Sequence, residues 1–293
     1  MRYSPQKDLS RPARPSAAPR RLIAGVLLMA ASFLVLAFVY ARLSQALVPA
    51  SAWGEDGLGI DRATTPWGAL VNLYVFAMLI ASLWLTLALV HNRTLASLIG
   101  PARIALRQFG RVVLALVAFY AVLALLPYPP GMVAAPNLPL ATWLAFLPLA
   151  LVGLLVQTSA EELVFRGYLQ SQLAARYASP AIWIGLPTLI FAALHYAPLQ
   201  TGEGVWLIVL WAAAFGVVAA DLTARSGTLG PAIALHFVNN GASILVAAPM
   251  GGFDGLALYT YPFTLDGGQW TWMPVDLMTL FCAWLAARLA LRR

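Results

Sequence analysis

Charge is scarce in this chain. Only 10% of its 293 residues are Asp, Glu, Lys or Arg, while 61% are apolar. Soluble globular domains carry about 25% charged residues, so the composition excludes an ordinary soluble protein and points to an all-α polytopic membrane protein. Cysteine is scarcer still, with Cys282 alone, which rules out an intrachain disulfide. The chain also lacks a repeat of fixed period and a second, soluble domain. The net charge of +7 is no nucleic-acid signal, because the basic residues sit at the ends of apolar segments, and no nucleic-acid partner is expected.

What is present is a succession of apolar runs. Residues 1–21 mix six basic residues with several prolines and read as a disordered basic cytoplasmic tail. Residues 22–293 read as a single transmembrane domain with about eight transmembrane helices. Spans are expected at about 22–40, 68–90, 112–126, 141 into the Glu161-Glu162 pair, 181–197, 205–222, 228–249 and 271–287. The first run exceeds the 7–15-residue core of a signal peptide and is read as a retained anchor. Arg103, Arg107 and Arg111, four apart, suggest a short amphipathic helix on the membrane surface before the third span. All of the 18 Lys and Arg residues except Arg42 and Arg62 fall in the tail or in loops after even-numbered spans. The positive-inside rule then places both termini in the cytoplasm.

Against this background the stretch Glu161-Glu162-Leu163-Val164-Phe165-Arg166-Gly167 stands out. An ionisable side chain at membrane depth costs about 2.5–3.5 kcal/mol on insertion scales and so marks a working site or a buried pair. In a helix Glu162 and Arg166 share a face at i,i+4 and form an ion pair. Glu161 points about 100° away, which leaves it free for chemistry. His195 closes Phe191-Ala192-Ala193-Leu194-His195, and a hairpin turning near Ala178 puts Glu161 and His195 at equal distances from the turn. His236 and Asn240, again at i,i+4, offer N–H donors suited to an oxyanion. The plainer alternatives are a core histidine bonded to a backbone carbonyl at 195, and polar stitching between helices at 236 and 240. His91, at a span end beside Asn92 and Arg93, reads as an interfacial residue, and Asp221 with Arg225 as a structural pair.

These residues resemble the CAAX-protease and bacteriocin-processing (CPBP, or Abi) family of intramembrane endopeptidases. The family pattern E-E-x-x-x-R, F-x-x-x-H and H-x-x-x-N is met by Glu161, Glu162 and Arg166, by Phe191 and His195, and by His236 and Asn240, over a core of about 141–250. The resemblance implies a CAAX-protease-like core of membrane helices and a membrane-embedded or lipidated peptide or protein as substrate. It assigns Glu161 and His195 to holding and deprotonating water, and His236 and Asn240 to stabilising the oxyanion. Glu162 and Arg166, with Phe191, would support the helix geometry. A metal-independent route is favoured. Zinc, held by Glu161, His195 and His236, is the alternative, although no His-Glu-x-x-His helix is present. The expected home is the bacterial plasma membrane. Two rival readings are a non-catalytic scaffold or immunity-type protein of the same fold, and a transporter, which would need polar residues along a whole pathway.

Overall fold

Prolines set where the helices begin. They occupy the first turn of α2 (Pro19–Leu47), α3 (Pro66–His91), α6 (Pro180–Leu194), α8 (Gly230–Gly241) and α9 (Met273–Ala290). At that position their missing N–H costs nothing and their fixed φ suits the helix. Thr65 adds a side-chain cap to α3, its Oγ1 accepting from Gly68 N at 3.0 Å. In this computed structural model, which describes residues 3–55, 57–127, 133–197, 202–264 and 270–292, the remaining helices are α1 (Ser4–Leu9), α4 (Ala102–Ala124), α5 (Leu140–Arg176) and α7 (Val205–Ser226).

The chain is an all-α polytopic membrane protein. Among the described residues, α2, α3, α4, α5, α7 and α9 are long and apolar enough to cross a membrane. The other two expected spans are shorter. α6 ends where His195 leaves helical geometry, and α8 passes through a π-turn, Ala242–Val246, into the strand Ala247–Pro249. That strand pairs parallel with Tyr259–Tyr261, which pairs antiparallel with Ala135–Pro136. Bulky apolar side chains such as Leu27, Leu34, Leu106 and Leu114 face outward, as a lipid-facing surface requires. Inside, Phe191, Phe215, Tyr168 and Leu235 form the centre of the main core.

Three local expectations are corrected. Residues 112–126 do not start a separate span, since the basic stretch and the apolar run form the single helix α4. Arg111 runs directly into Val112, and Gly110 just before it does not stop the helix, since one glycine costs only about 1 kcal/mol. The segment expected as a disordered tail folds as α1 and a 3-10 helix, Arg11–Ser16, with Gln6, Leu9, Ala13 and Ser16 buried. Tyr3 donates to Asp221 Oδ1 at 2.7 Å, and Gln170 Nε2 donates to Gln6 Oε1 at 2.9 Å. His91, in turn, is buried rather than interfacial. Its Nδ1 accepts from Gln172 Nε2 at 2.6 Å and meets Ser16 Oγ at 3.0 Å, and its Nε2 meets Tyr168 Oη at 2.8 Å. Helix α2 passes so close here that a Cβ at Gly25 would collide with the Tyr168 hydroxyl and His91 Nε2. The Asp221–Arg225 pair is present, at 2.8 Å.

Candidate active site

Helix α5 brings most of the site together. It runs as regular helix to Glu162, opens into a π-turn over Leu163–Leu169, and resumes over Gln170–Arg176. π-turns inside α-helices occur frequently at functional sites. Here the turn carries Arg166. Its Nη1 donates to Glu162 Oε1 at 3.0 Å, with the two side chains 2% and 0% exposed. The guanidinium lies 4.5 Å from the Phe191 ring centroid and 5.8 Å from those of Phe165 and Phe215. Three aromatic faces thus replace the water that a buried cation loses. Gly167 follows because Leu98 and Leu229 press against its backbone, leaving no room for a Cβ.

The hairpin turns at Tyr177–Ser179, between Arg176 and Pro180. Phe165 and Phe191, equally far from Ala178, meet edge to face at 5.0 Å, so the expected register holds at that level. Phe191 also touches the rings of His195 at 4.5 Å and His236 at 6.4 Å. One aromatic ring therefore separates and positions both histidines and the arginine.

His236 is held between the two carboxylates. Its Nδ1 donates to Glu162 Oε1 at 2.8 Å, and its Nε2 lies 3.6 Å from Glu161 Oε2. Glu161 is 9% exposed. Its Oε1 accepts from Gln157 Nε2 at 2.9 Å, while its buried Oε2 has no hydrogen-bond partner. Gln157 Oε1 accepts in turn from Asn240 Nδ2 at 3.1 Å. Asn240 Oδ1 accepts from Asn239, and Asn239 Oδ1 accepts from Tyr120. A continuous chain of polar groups thus runs from Tyr120 through Asn239, Asn240, Gln157 and Glu161 to His236, Glu162 and Arg166.

Glu161, Glu162, Arg166, His236 and Asn240 are therefore joined directly or through one intermediate; of these links the spacing suggested only Glu162–Arg166. His195 is not bonded to them. Among the described residues no hydrogen bond or ion pair links it to Glu161. Its Nδ1 donates to the Phe191 carbonyl at 2.8 Å, which fixes the tautomer and leaves Nε2 as an acceptor. The contact to a backbone carbonyl is the plainer reading of this residue, and it coexists with a free Nε2. Gln157 was missed by the sequence reading. The available signal was an uncharged polar group one turn before Glu161 in an apolar helix.

The donor set does not fit the zinc alternative as arranged. Among the described residues no group of three His, Cys, Asp or Glu side chains is placed to hold a metal ion. Glu162 Oε1 is shared by Arg166 and His236, and His236 Nδ1 is spent on Glu162.

Residues 141–242 match the family model described as type II CAAX prenyl endopeptidase, Rce1-like. That match spans α5 to α8 and contains all three polar motifs. No curated protein and no solved structure gives a significant match to this chain.

Proposed function

Starting from the match of its α5–α8 core to the CAAX prenyl endopeptidase family model, we propose that the chain is an intramembrane endopeptidase in which Glu161 activates water. One observation carries the reading. Glu161 Oε2 and Glu162 Oε2 are both buried carboxylate oxygens without a hydrogen-bond partner, but Glu162 is committed through its other oxygen to Arg166 and His236, whereas Glu161 Oε2 lies 3.6 Å from His236 Nε2. The substrate is a membrane-embedded or lipidated peptide or protein, reached from the bilayer.

The chemistry follows from the contacts. Water attacks the scissile carbonyl carbon, a C–O bond forms, and the proton passes to Glu161 Oε2. Gln157 holds the other oxygen of the same carboxylate, so Oε2 stays oriented for that transfer. Two carboxylates and one guanidinium leave the buried cluster one charge short of neutral. An imidazolium at His236 balances it, with Nδ1–H on Glu162 and Nε2–H available to the developing oxyanion. Asn240 supplies a second N–H beyond the one given to Gln157. When the C–N bond breaks, Glu161 returns the proton to the leaving amine. His195 Nε2 accepts from the attacking water on the side of α6.

Zinc at Glu161, His195 and His236 remains the competing mechanism, and it needs a rearranged donor set. Metal analysis of active, purified protein discriminates the two, since the Glu/His route predicts full turnover at substoichiometric zinc. The function itself is tested by incubating the reconstituted protein with a membrane-embedded peptide and identifying the new termini by mass spectrometry. Intact peptide in the presence of folded protein would favour the non-catalytic scaffold instead.

A further inference from the structure

Lined by none of the candidate active-site residues, a cavity of about 370 Å³ opens between α1, α4, α7 and α9. Its lining includes Ser4, Pro5, Gln108, Arg225, Arg288 and Arg292. Three guanidinium groups around one small cavity form a concentration of positive charge in a chain with few charges at all. The one carboxylate bonded to them, Asp221, receives Arg225 Nε at 2.8 Å and also accepts from Tyr3 and from Trp284 Nε1. Among the described residues no carboxylate pairs with Arg288 or Arg292. Arg288 rests on the Trp284 ring at 4.7 Å, and Arg225 on the Tyr3 ring at 5.2 Å.

Arg225 Nη2 is buried and has no hydrogen-bond partner. An unpaired guanidinium N–H is costly and calls for an acceptor. Gln108 gives its oxygen to Thr228 Oγ1, so its amide N–H groups remain as further donors. The lining thus holds donors and positive charge, the pattern that accepts a tetrahedral oxyanion through forked N–H pairs. Below Arg288 and Arg292, the outer side of α9 exposes Met278, Phe281, Leu285 and Leu289. Spaced three to four apart, these residues form one apolar lane that leads along the helix away from the cavity.

We infer that this cavity binds the phosphate of an anionic phospholipid headgroup, with the acyl chains lying along α9. A basic pocket between membrane helices is a known physical solution for phosphate headgroups. Because Ser4 and Pro5 form one wall, and Tyr3 is tied to the same Asp221 that holds Arg225, the bound lipid also fastens the N-terminal segment onto α7. This reading does not depend on the proposed proteolysis.

The test uses the full chain in neutral detergent and reads the melting temperature. Phosphatidylglycerol should raise it by about 3 °C or more at tenfold saturation, whereas phosphatidylcholine with the same acyl chains should not. Arg292→Gln and Arg288→Gln/Arg292→Gln should lose that shift, while Arg103→Gln/Arg107→Gln, which removes exposed positive charge elsewhere, should keep it. If the double variant fails to fold, Arg292→Gln and the lipid comparison on the wild type still decide. Equal shifts from the two lipids, or equal loss in the two double variants, would overturn the site. An equal shift from millimolar inorganic phosphate would overturn the lipid assignment.

Discussion

Helix α5 carries two buried polar clusters, and they are built differently. Near its middle, Glu161, Glu162 and Arg166 surround His236 with charge, and several of their atoms (Glu161 Oε2, Glu162 Oε2 and Arg166 Nη2) have no hydrogen-bond partner. Nearer its end, Tyr168 and Gln172, together with Ser16, surround His91 with hydroxyl and amide groups. His91 Nδ1 accepts from Gln172, while His236 sits between two carboxylates. Arg93 joins the second cluster through Ser171, with burial pushing its guanidinium down to about 10. The first cluster is charged and incompletely satisfied. The second is mostly neutral and ties together segments distant in sequence. Gln172 Oε1 in the second cluster also lacks a partner, so the difference is one of charge: unspent hydrogen-bonding capacity on paired buried charges is the mark expected of chemistry, and a mostly neutral network that links distant segments is the mark expected of structure.

Substitutions can break this contrast, and they rank by what they do to the fold. Arg166→Ala should be the most damaging. It strands Glu162 at zero exposure and removes the cation from three aromatic rings, and breaking a buried pair costs about 3–5 kcal/mol. Little folded protein should be recovered in detergent, as measured by monodisperse yield. A well-folded variant that lacks only turnover would move Arg166 from support into the reaction.

His91→Ala comes next. It leaves the Gln172 amide and the Tyr168 hydroxyl short of a partner, at about 1–3 kcal/mol, and it loosens Ser16. The melting temperature should fall, and limited trypsin digestion should cut after the exposed Lys7 sooner than in the wild type. Turnover of the folded fraction should be unchanged. A variant that keeps its melting point but loses cleavage would erase the distinction between the clusters.

Gln157→Leu should cost less stability still, because it keeps the volume. It frees Glu161 Oε1 and Asn240 Nδ2 at once. Turnover should drop by roughly 10–100-fold with KM nearly unchanged, since the lost contacts orient the base rather than bind substrate. Gln157→Glu should not rescue it, because a third carboxylate repels Glu161. A topology measurement perturbs nothing: reporter fusions at either terminus should read cytoplasmic, and at Glu55 exported.

Much of this was legible in the sequence, and the rest was hidden for definite reasons. The Glu162–Arg166 pair and the shared face of His236 and Asn240 follow from helical periodicity, whereas the equal offsets of Glu161 and His195 from Ala178 did not bond the two, since His195 Nδ1 turns back to the Phe191 carbonyl. Gln157 sits one turn before its partner Glu161, a spacing that could have marked it, whereas its second partner Asn240 lies 83 positions away, beyond any spacing rule. The contact of His236 with Glu162 spans 74 positions and was hidden for the same reason. The N-terminal segment looked disordered because of its prolines and charges. Pro5 and Pro19, however, occupy first turns where proline is tolerated, and the segment is held by side chains from α5 and α7 that no local pattern announces. His195 was expected inside a span running to 197, whereas α6 ends at Leu194, and the tie of His195 to the Phe191 carbonyl depends on the helix ending there.

The most direct measurement is cleavage of a membrane-embedded peptide by Glu161→Gln beside the wild type, with both proteins matched for melting temperature. Glutamine keeps the shape of the side chain and removes its basicity. The account predicts a melting temperature close to that of the wild type and turnover lower by about 10²–10⁴-fold, with substrate binding retained. A folded Glu161→Gln protein that cleaves at the wild-type rate would contradict it.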